Sequence, residues 1–227
     1  TLLGFGGQAL VAQKVNGTTT INNAGLISTS LIGAGSVSDA TTVVTYGGAA
    51  ANVTNTGTID GRVGLGASGG NTFLNAGAVS GSVHLGDSTG GNTFTAVSGS
   101  SVVSGGGSAL AGVITGVTGV KVAAAGSVDA GTGSGAANNT LVLQNVVSGP
   151  GSGTGGAVTT LGWNQYLNFQ KLTVNSGTWN LQGAWAGAGT TPLNDGLVNF
   201  NNAGSFGTGL FPANGGAIAS ATAGLNL

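Results

Sequence analysis

Four polar side chains near the middle of the chain offer the most chemistry: Ser82, His84, Asp60 and Arg62, with His84 the only histidine. Ser82 precedes His84 by two residues, so both point to the same face of an extended strand. A Ser-His-Asp catalytic triad needs direct hydrogen bonds from serine to histidine and from histidine to aspartate, and it needs an oxyanion hole. Same-face neighbours along a strand are about 6.6 Å apart, which is too far for such a bond. We therefore predict a solvated face with a surface ion pair, and no catalytic residue.

Sites for metals, cofactors and nucleic acid are not expected either. The chain has no cysteine and one histidine, which argues against thiolate and histidine-based zinc sites. Its five aspartates are well separated and it has no glutamate, so an oxygen cluster for calcium is not expected. Four scattered lysines and arginines are too few to displace the counterions of nucleic acid. We predict no cofactor-binding residue, no metal-binding residue, no cofactor and no nucleic-acid partner.

The composition predicts an all-β fold. Of 227 residues, 48 are glycine and nine are charged, while 40% are hydrophobic, which is enough to form a core. The chain has no glutamate or methionine and few lysines and arginines, so it lacks most of the residues that favour a long amphipathic helix. The elements that must position Ser82 and His84 are therefore strands.

A repeat of about 20 residues is the main signal in the chain. Residues 61–73 and 81–94 are near copies, in which the equivalent residues are Val63 and Val83, Leu65 and Leu85, Asn71 and Asn92, and Phe73 and Phe94. Apolar residues alternate with polar or small ones, as in half-buried strands. An antiparallel meander or barrel and a parallel β-solenoid both fit this pattern.

The solenoid explains more of the repeat than the meander does. It places equivalent residues about 4.8 Å apart in columns, and Asn71 over Asn92 can then form side-chain amide hydrogen bonds along the column. It also explains the low charge, because stacked like charges repel. At roughly 22 residues per coil, the chain is predicted to form about ten coils.

A shorter motif, Asn-small-Gly-x-apolar, marks the recurring bends. Its asparagines are Asn23, Asn55, Asn75, Asn175 and Asn202. Asn and Gly readily adopt positive φ, so we predict a tight left-handed turn that enters a strand.

The chain is predicted to be a single β-solenoid, 1–227, with three parts. Residues 1–130 form regular narrow coils, 131–156 form Gly/Ser/Asn-rich loops with a short strand, and 157–227 form wider, aromatic-rich coils. The wider coils follow from the 27-residue spacing between Asn175 and Asn202. We interpret the aromatic residues as a better-filled core rather than a ligand platform. Thr18–Thr20 and Thr41–Thr42 suggest a flat threonine face, but no threonine column is apparent.

Four segments of the chain read VTNTGTIDG, GGNTFLNAGAVSG, SVHLGDSTGGNTF and FQKLTVNSGTWNLQG. They resemble the coils of autotransporter passenger domains, the surface-exposed parts of type V secreted proteins of Gram-negative bacteria, and the likeness covers roughly residues 15–105 and 157–207. The resemblance implies a right-handed parallel β-helix, export through the outer membrane and an extracellular, cell-surface location. The family's C-terminal outer-membrane barrel is not in this chain, so we expect either a fragment of a passenger that is attached to a barrel outside this chain, or a released passenger.

The expected function is therefore not enzymatic. We predict an extracellular structural or adhesive passenger whose Ser/Thr/Asn ladders contact a host or bacterial surface glycan or protein, or another copy of the chain. One alternative is a subunit of a self-assembling extracellular filament. Another is a carbohydrate-active β-helix enzyme with its site near the aromatic coils.

Overall fold

The computed structural model describes residues 1–5, 8–30, 40–106, 111–113 and 119–220. In chain order its strands are β1 (Leu2–Phe5), β2 (Leu10–Gln13), β3 (Thr18–Asn23), β4 (Leu26–Ser30), β5 (Thr41–Tyr46), β6 (Ala50–Asn55), β7 (Thr58–Gly66), β8 (Thr72–Asn75), β9 (Ala78–His84), β10 (Thr93–Val97), β11 (Ser101–Val103), β12 (Gly112–Val113), β13 (Lys121–Val122), β14 (Val128–Asp129), β15 (Thr140–Gln144), β16 (Thr159–Gly162), β17 (Tyr166–Leu167), β18 (Lys171–Val174), β19 (Thr178–Gln182), β20 (Leu197–Phe200) and β21 (Ala217–Ser220). Short 3-10 turns cover Ala136–Asn138 and Ala203–Phe206. The all-β prediction is confirmed.

Most strands belong to three parallel sheets. The nine-stranded sheet contains β1, β2, β4, β5, β7, β9, β11, β14 and β17. The six-stranded sheet runs in the order β18-β15-β10-β8-β6-β3, and the four-stranded sheet in the order β16-β19-β20-β21. From β6 to β11, successive strands alternate between the six-stranded and the nine-stranded sheet. Strands that are neighbours in a sheet are therefore one repeat apart in sequence.

The predicted stacking of equivalent residues is confirmed. Val63 pairs with Val83 in the parallel ladder of β7 and β9. Phe73 pairs with Phe94 in the ladder of β8 and β10, with ring centroids 5.6 Å apart and planes 13° from parallel. An antiparallel meander is excluded for these strands. The alternation of apolar residues places Val63, Val83 and both phenylalanines inside, with no exposed surface.

Two excursions interrupt the regular repeats predicted for residues 1–130. Both β4 and β5 pair with β7, and residues 31–39 between them lie outside the described residues. Both β11 and β14 pair with β9, at its first and last residues respectively. Between β11 and β14 the chain leaves the sheet, and β12 pairs antiparallel with β13. We call residues 111–113 and 119–127 the arm.

The prediction of wider coils after residue 157 is wrong. Trp179 pairs with Thr159 and with Val198, at offsets of 20 and 19 residues, so this region repeats as tightly as the first. The 27-residue spacing was misleading because Asn175 has Asn194 as its neighbour, with Asn194 Nδ2 donating to Asn175 Oδ1 at 2.9 Å. Asn202 instead caps the 3-10 turn that follows it, where its side chain accepts from Gly204 N–H.

In two copies of the Asn-small-Gly motif, those of Gly57 and Gly77, glycine is required by space rather than by a positive φ. Each of Gly25, Gly57 and Gly77 lies in a tight two-residue bend that enters a strand, as predicted, but none of them has the expected positive φ. A Cβ on Gly77 would overlap the carbonyl oxygen of Gly57, and a Cβ on Gly57 would overlap that of Gly25. Gly177 is the one copy of the motif whose glycine has a positive φ, of 94°.

Three asparagines of the same motif, Asn23, Asn55 and Asn75, form a buried ladder. Asn23 Nδ2 donates to Asn55 Oδ1 at 2.8 Å, and Asn55 Nδ2 donates to Asn75 Oδ1 at 2.9 Å. The predicted Asn71–Asn92 column also exists, but there the backbone N–H of Asn71 donates to Asn92 Oδ1 at 2.8 Å. The predicted amide-to-amide bond is therefore wrong for that pair and occurs in the other column.

Candidate functional site

The face that carries Ser82 and His84 is covered by the arm. Arg62 pairs with Ser82 in the ladder of β7 and β9, and the exposed fractions of Arg62, Ser82 and His84 are 5%, 0% and 4%. Ser82 Oγ donates to the carbonyl of Ala123 in the arm at 2.8 Å. Val122 of the arm belongs to a small apolar cluster that also includes Val44 of β5, a strand of the same sheet. The predicted solvated face with a surface ion pair is therefore wrong for these three residues, while Asp60 is half-buried.

The hydrogen bonds around His84 oppose a Ser-His-Asp arrangement. His84 Nδ1 accepts the backbone N–H of Gly86 at 2.9 Å, whereas a triad needs Nδ1 to donate to a carboxylate. The Ser82 hydroxyl is committed to Ala123 and does not contact His84. The structure thus brings Ser82 and His84 onto one strand without making them a nucleophile and its base.

An open cleft of about 500 Å³ lies between the sheet and the arm. Its walls include His84, Lys121, Asp129 and Thr132. Asp129 pairs with His84 in the ladder of β14 and β9, and it accepts from Asn168 Nδ2 at 2.7 Å. Sequence analysis missed Lys121, Asp129 and Thr132, because the arm shifts the register at this point and the 20-residue repeat no longer indicates which residues meet.

An ion pair holds the arm at the mouth of this cleft. Lys121 Nζ donates to Asp87 Oδ2, and the backbone N–H of Thr132 donates to Asp87 Oδ1 at 2.7 Å. Partial burial tends to raise the pKa of Asp87, but the bonds from Lys121 and Thr132 outweigh it and lower that pKa below its usual value. For His84, burial dominates and lowers the pKa, although Asp129 and Asp87 act in the opposite direction.

The lowered pKa of His84 predicts a pH-dependent stability. The unfolded chain binds a proton at His84 near pH 6.5 more readily than the folded chain does, because burial lowers the pKa of His84 in the folded chain, so stability falls as the pH falls below that value. We expect the free energy of unfolding to decrease between pH 7 and 5 with a slope of up to about 1.4 kcal/mol per pH unit. His84→Asn, whose Oδ1 can accept from Gly86, should flatten this slope. Denaturant titrations of both proteins at several pH values test it, and equal slopes would contradict it.

A second groove, of about 370 Å³, lies among the aromatic residues near β17. Trp163, Tyr166, Phe169 and Trp185 line it and are each at least nine-tenths buried, which agrees with their predicted role in the core. The Trp163 and Trp185 rings stack with centroids 5.4 Å apart and planes 21° from parallel. Burial raises the pKa of Tyr166 far above its usual value, so its hydroxyl keeps its proton at neutral pH.

The outer face of the six-stranded sheet carries two polar columns. The first follows the ladders of β3, β6, β8, β10, β15 and β18 through Thr20, Asn52, Thr72, Thr93, Thr140 and Lys171. All six are exposed or half-buried. The expected lack of a threonine column holds only in part, because four of the six residues are threonine and Thr72, Thr93 and Thr140 follow one another. The second column lies two residues further along each strand. In it, the apolar side chains of Leu74 and Val142 interrupt the polar ones.

Within the described ranges no three His or Asp side chains are close enough together to hold a metal ion. No helix in the same part of the chain is long and apolar enough to cross a membrane. Comparison with protein-family models, curated proteins and solved structures found no match to this chain.

Proposed function

We propose that the chain is a right-handed parallel β-helix of about ten coils that serves as a non-enzymatic, extracellular adhesive or structural passenger. In this proposal a separate membrane domain holds it at the surface of a Gram-negative bacterium. The supporting observation is the in-register parallel pairing of segments about 20 residues apart, with identical residues such as Val63 and Val83 in contact. The segments that resemble autotransporter passengers contain β6 to β10, β18 and β19, which all pair in parallel with strands of other repeats.

The adhesive surface in this proposal is the outer face of the six-stranded sheet. Its first column runs from Thr20 to Thr140 without a charged side chain. Thr72 Oγ1 donates to Asn52 Oδ1 at 2.9 Å, so neighbouring side chains of the column are already ordered before a partner arrives. Hydroxyl and amide groups both donate and accept hydrogen bonds, which suits a glycan or a second face of the same kind.

Charge placed on this face tests the proposal. Beads coated with the chain should adhere to bacterial or epithelial cells, or to one another, and Asn52→Lys with Thr93→Lys should reduce this at least tenfold. The matched control is Thr160→Lys with Asn164→Lys, which adds two charges to exposed positions of another surface. Both variants change the formal net charge from −1 to +1, so a general charge effect would appear in both.

Two outcomes would count against the proposal. If the variant with Asn52→Lys and Thr93→Lys still adheres, the outer face of the six-stranded sheet is not the adhesive surface. Beads that bind neither cells nor one another would argue against an adhesive role altogether. Circular dichroism of each variant checks that the strands are retained.

A filament subunit is the second candidate function. In the described part of the chain, β3 and β21 lie at the edges of their sheets, and an unpaired strand edge is a template for another chain. Electron micrographs of the purified chain distinguish the two, because a filament subunit gives long fibres and an isolated passenger gives short rods.

A further inference from the structure

We propose that Asn16 is a site of spontaneous chemical modification, at which the chain deamidates to aspartate and isoaspartate. The modification needs only water as a co-reactant, and it does not depend on the adhesive function proposed above. Two asparagines of the chain are followed by glycine, Asn16 and Asn214. Glycine has no Cβ, so it hinders this reaction least. The surroundings of the two asparagines differ, and the difference favours Asn16.

The reaction joins the side chain of Asn16 to the backbone of Gly17. The Gly17 nitrogen loses its proton and attacks Asn16 Cγ, so that an N–Cγ bond forms, the bond from Cγ to Nδ2 breaks, and ammonia leaves with the proton. The product is a cyclic succinimide. Water then opens the ring at one of its two carbonyl carbons, which gives aspartate or isoaspartate at this position. Nothing is oxidised or reduced, and the chain gains one carboxylate.

Both reacting groups of this pair are free in the described part of the chain. Asn16 and Gly17 lie in the bend between β2 and β3, and both are exposed. Neither the Asn16 side chain nor the Gly17 N–H has a hydrogen-bond partner among the described residues. Gly17 has a φ of +80°, and apart from its chain neighbours no atom lies within 4 Å of where a Cβ would be. The Asn16 side chain can therefore turn onto the Gly17 nitrogen without breaking a hydrogen bond.

The corresponding pair at Asn214 is held by its neighbours. Asn214 Nδ2 donates to Asn194 Oδ1 at 2.9 Å, and this bond must break before Cγ can reach the Gly215 nitrogen. A Cβ on Gly215 would be only 2.6 Å from the carbonyl oxygen of Asn194, so this bend packs closely against the preceding repeat. We therefore expect Asn16 to react about tenfold faster than Asn214, a ratio that corresponds to about one hydrogen bond.

The asparagines of the buried ladder are protected in a different way. The amides of Asn55 and Asn75 donate hydrogen bonds to neighbouring repeats. Threonine follows Asn55 and alanine follows Asn75, and the Cβ of each following residue hinders attack by its own nitrogen. Both asparagines also lie at the ends of strands that are paired on both sides. Modification is therefore expected at the exposed bend and not in the ladder.

Isoaspartate at position 16 would alter the edge of the six-stranded sheet. In the described part of the chain β3 is an edge strand, and the Gly17 carbonyl just before it accepts the backbone N–H of Ala49 at 2.7 Å. Isoaspartate adds one carbon atom to the main chain beside Gly17, so we expect this bond to weaken and hydrogen exchange at Ala49 to accelerate. The repeats beyond β6 should keep their exchange rates, because the added atom lies outside them.

Mass spectrometry of the aged, intact chain tests the proposal. After incubation at mildly alkaline pH, trypsin releases the fragments 15–62 and 172–227, which contain Asn16 and Asn214 respectively. Electron-transfer fragmentation locates the mass increase from amide to acid and distinguishes isoaspartate from aspartate. Asn16 should be modified about tenfold faster than Asn214. The rate at Asn16 should fall at acidic pH, because the attacking nitrogen must lose its proton.

Two comparisons separate the effect of the fold from that of the sequence. In the chain unfolded by denaturant, Asn16 and Asn214 should react at similar rates, because each is followed by glycine. In the folded Asn194→Ala variant, modification at Asn214 should accelerate, since its amide loses its acceptor, while the rate at Asn16 stays unchanged. Equal rates at the two sites in the folded chain would overturn the proposal. So would an Asn16 that stays intact in the folded chain while the unfolded chain is modified.

Discussion

Gly77→Ala is expected to destabilise the stacked repeats by about 3 kcal/mol, at the upper end for overpacking. The φ of Gly77 is accessible to alanine, so the penalty is steric. The new Cβ would overlap the carbonyl oxygen of Gly57, and that oxygen accepts the backbone N–H of Ala78 at 2.9 Å. Backbone atoms on both sides are held by the sheet and cannot move apart without breaking this bond.

Gly25→Ala is the matched control because Gly25 holds the same position in an earlier copy of the motif. A Cβ there meets only Thr1 N, at the ordinary contact distance of 3.7 Å. We expect no loss of stability, or a gain of up to about 1 kcal/mol from the lower entropy of the unfolded chain. Gly57→Ala, which would overlap Gly25, should behave like Gly77→Ala.

Denaturant midpoints and amide hydrogen exchange measure the effect. Exchange at Ala78 should accelerate strongly in Gly77→Ala, since its acceptor is the displaced carbonyl, and should be unchanged in Gly25→Ala. Exchange is informative here because stacked repeats can unfold in parts rather than all at once. Similar behaviour of the two variants would show that the close stacking of Gly57 and Gly77 is not what selects glycine.

The repeat in the sequence was sufficient to predict which residues stack between β6 and β10. Val63 and Val83, or Phe73 and Phe94, are equivalent by simple alignment, and a one-residue slip would turn each of them outward. The same reasoning failed beyond β10, where Phe94 pairs with Leu141, 47 residues later. The intervening arm has no repeat of its own, so nothing in the sequence indicates where the chain rejoins the sheet.

The candidate site could be predicted only in part. Period-two alternation correctly placed Arg62, Ser82 and His84 on the outer face of their strands. It could not show that the arm covers this face, because burial there depends on contacts such as Ser82 with Ala123, 41 residues apart. The aromatic composition predicted a filled core near Trp163 and Trp185. The groove beside them exists because the nine-stranded sheet ends at β17. Composition alone does not indicate where a sheet ends.

Asn55→Ala is expected to lower stability by about 3 kcal/mol, because it removes the middle of a buried asparagine ladder. Asn55 has no exposed surface, and its Nδ2 donates to Asn75 Oδ1 and to the carbonyl of Ala78. Its Oδ1 accepts from Asn23 Nδ2 at 2.8 Å. Alanine leaves Asn23 Nδ2, Asn75 Oδ1 and the carbonyl of Ala78 without these partners. Its methyl group also does not fill the space that the amide occupied.

Asn52→Ala is the matched control, since Asn52 lies on the same strand, β6, with its side chain exposed. It loses one surface hydrogen bond, from Thr72 Oγ1, and water can replace it, so we expect a change within about 0.5 kcal/mol. Denaturant titration of the two variants, with hydrogen exchange at Ala78, measures the difference. If both variants lost equal stability, the buried ladder would contribute no more than a surface bond, and apolar stacking alone would hold these repeats together. If Asn55→Ala alone is strongly destabilised, the asparagines of the first three copies of the motif are explained by the buried hydrogen bonds between them.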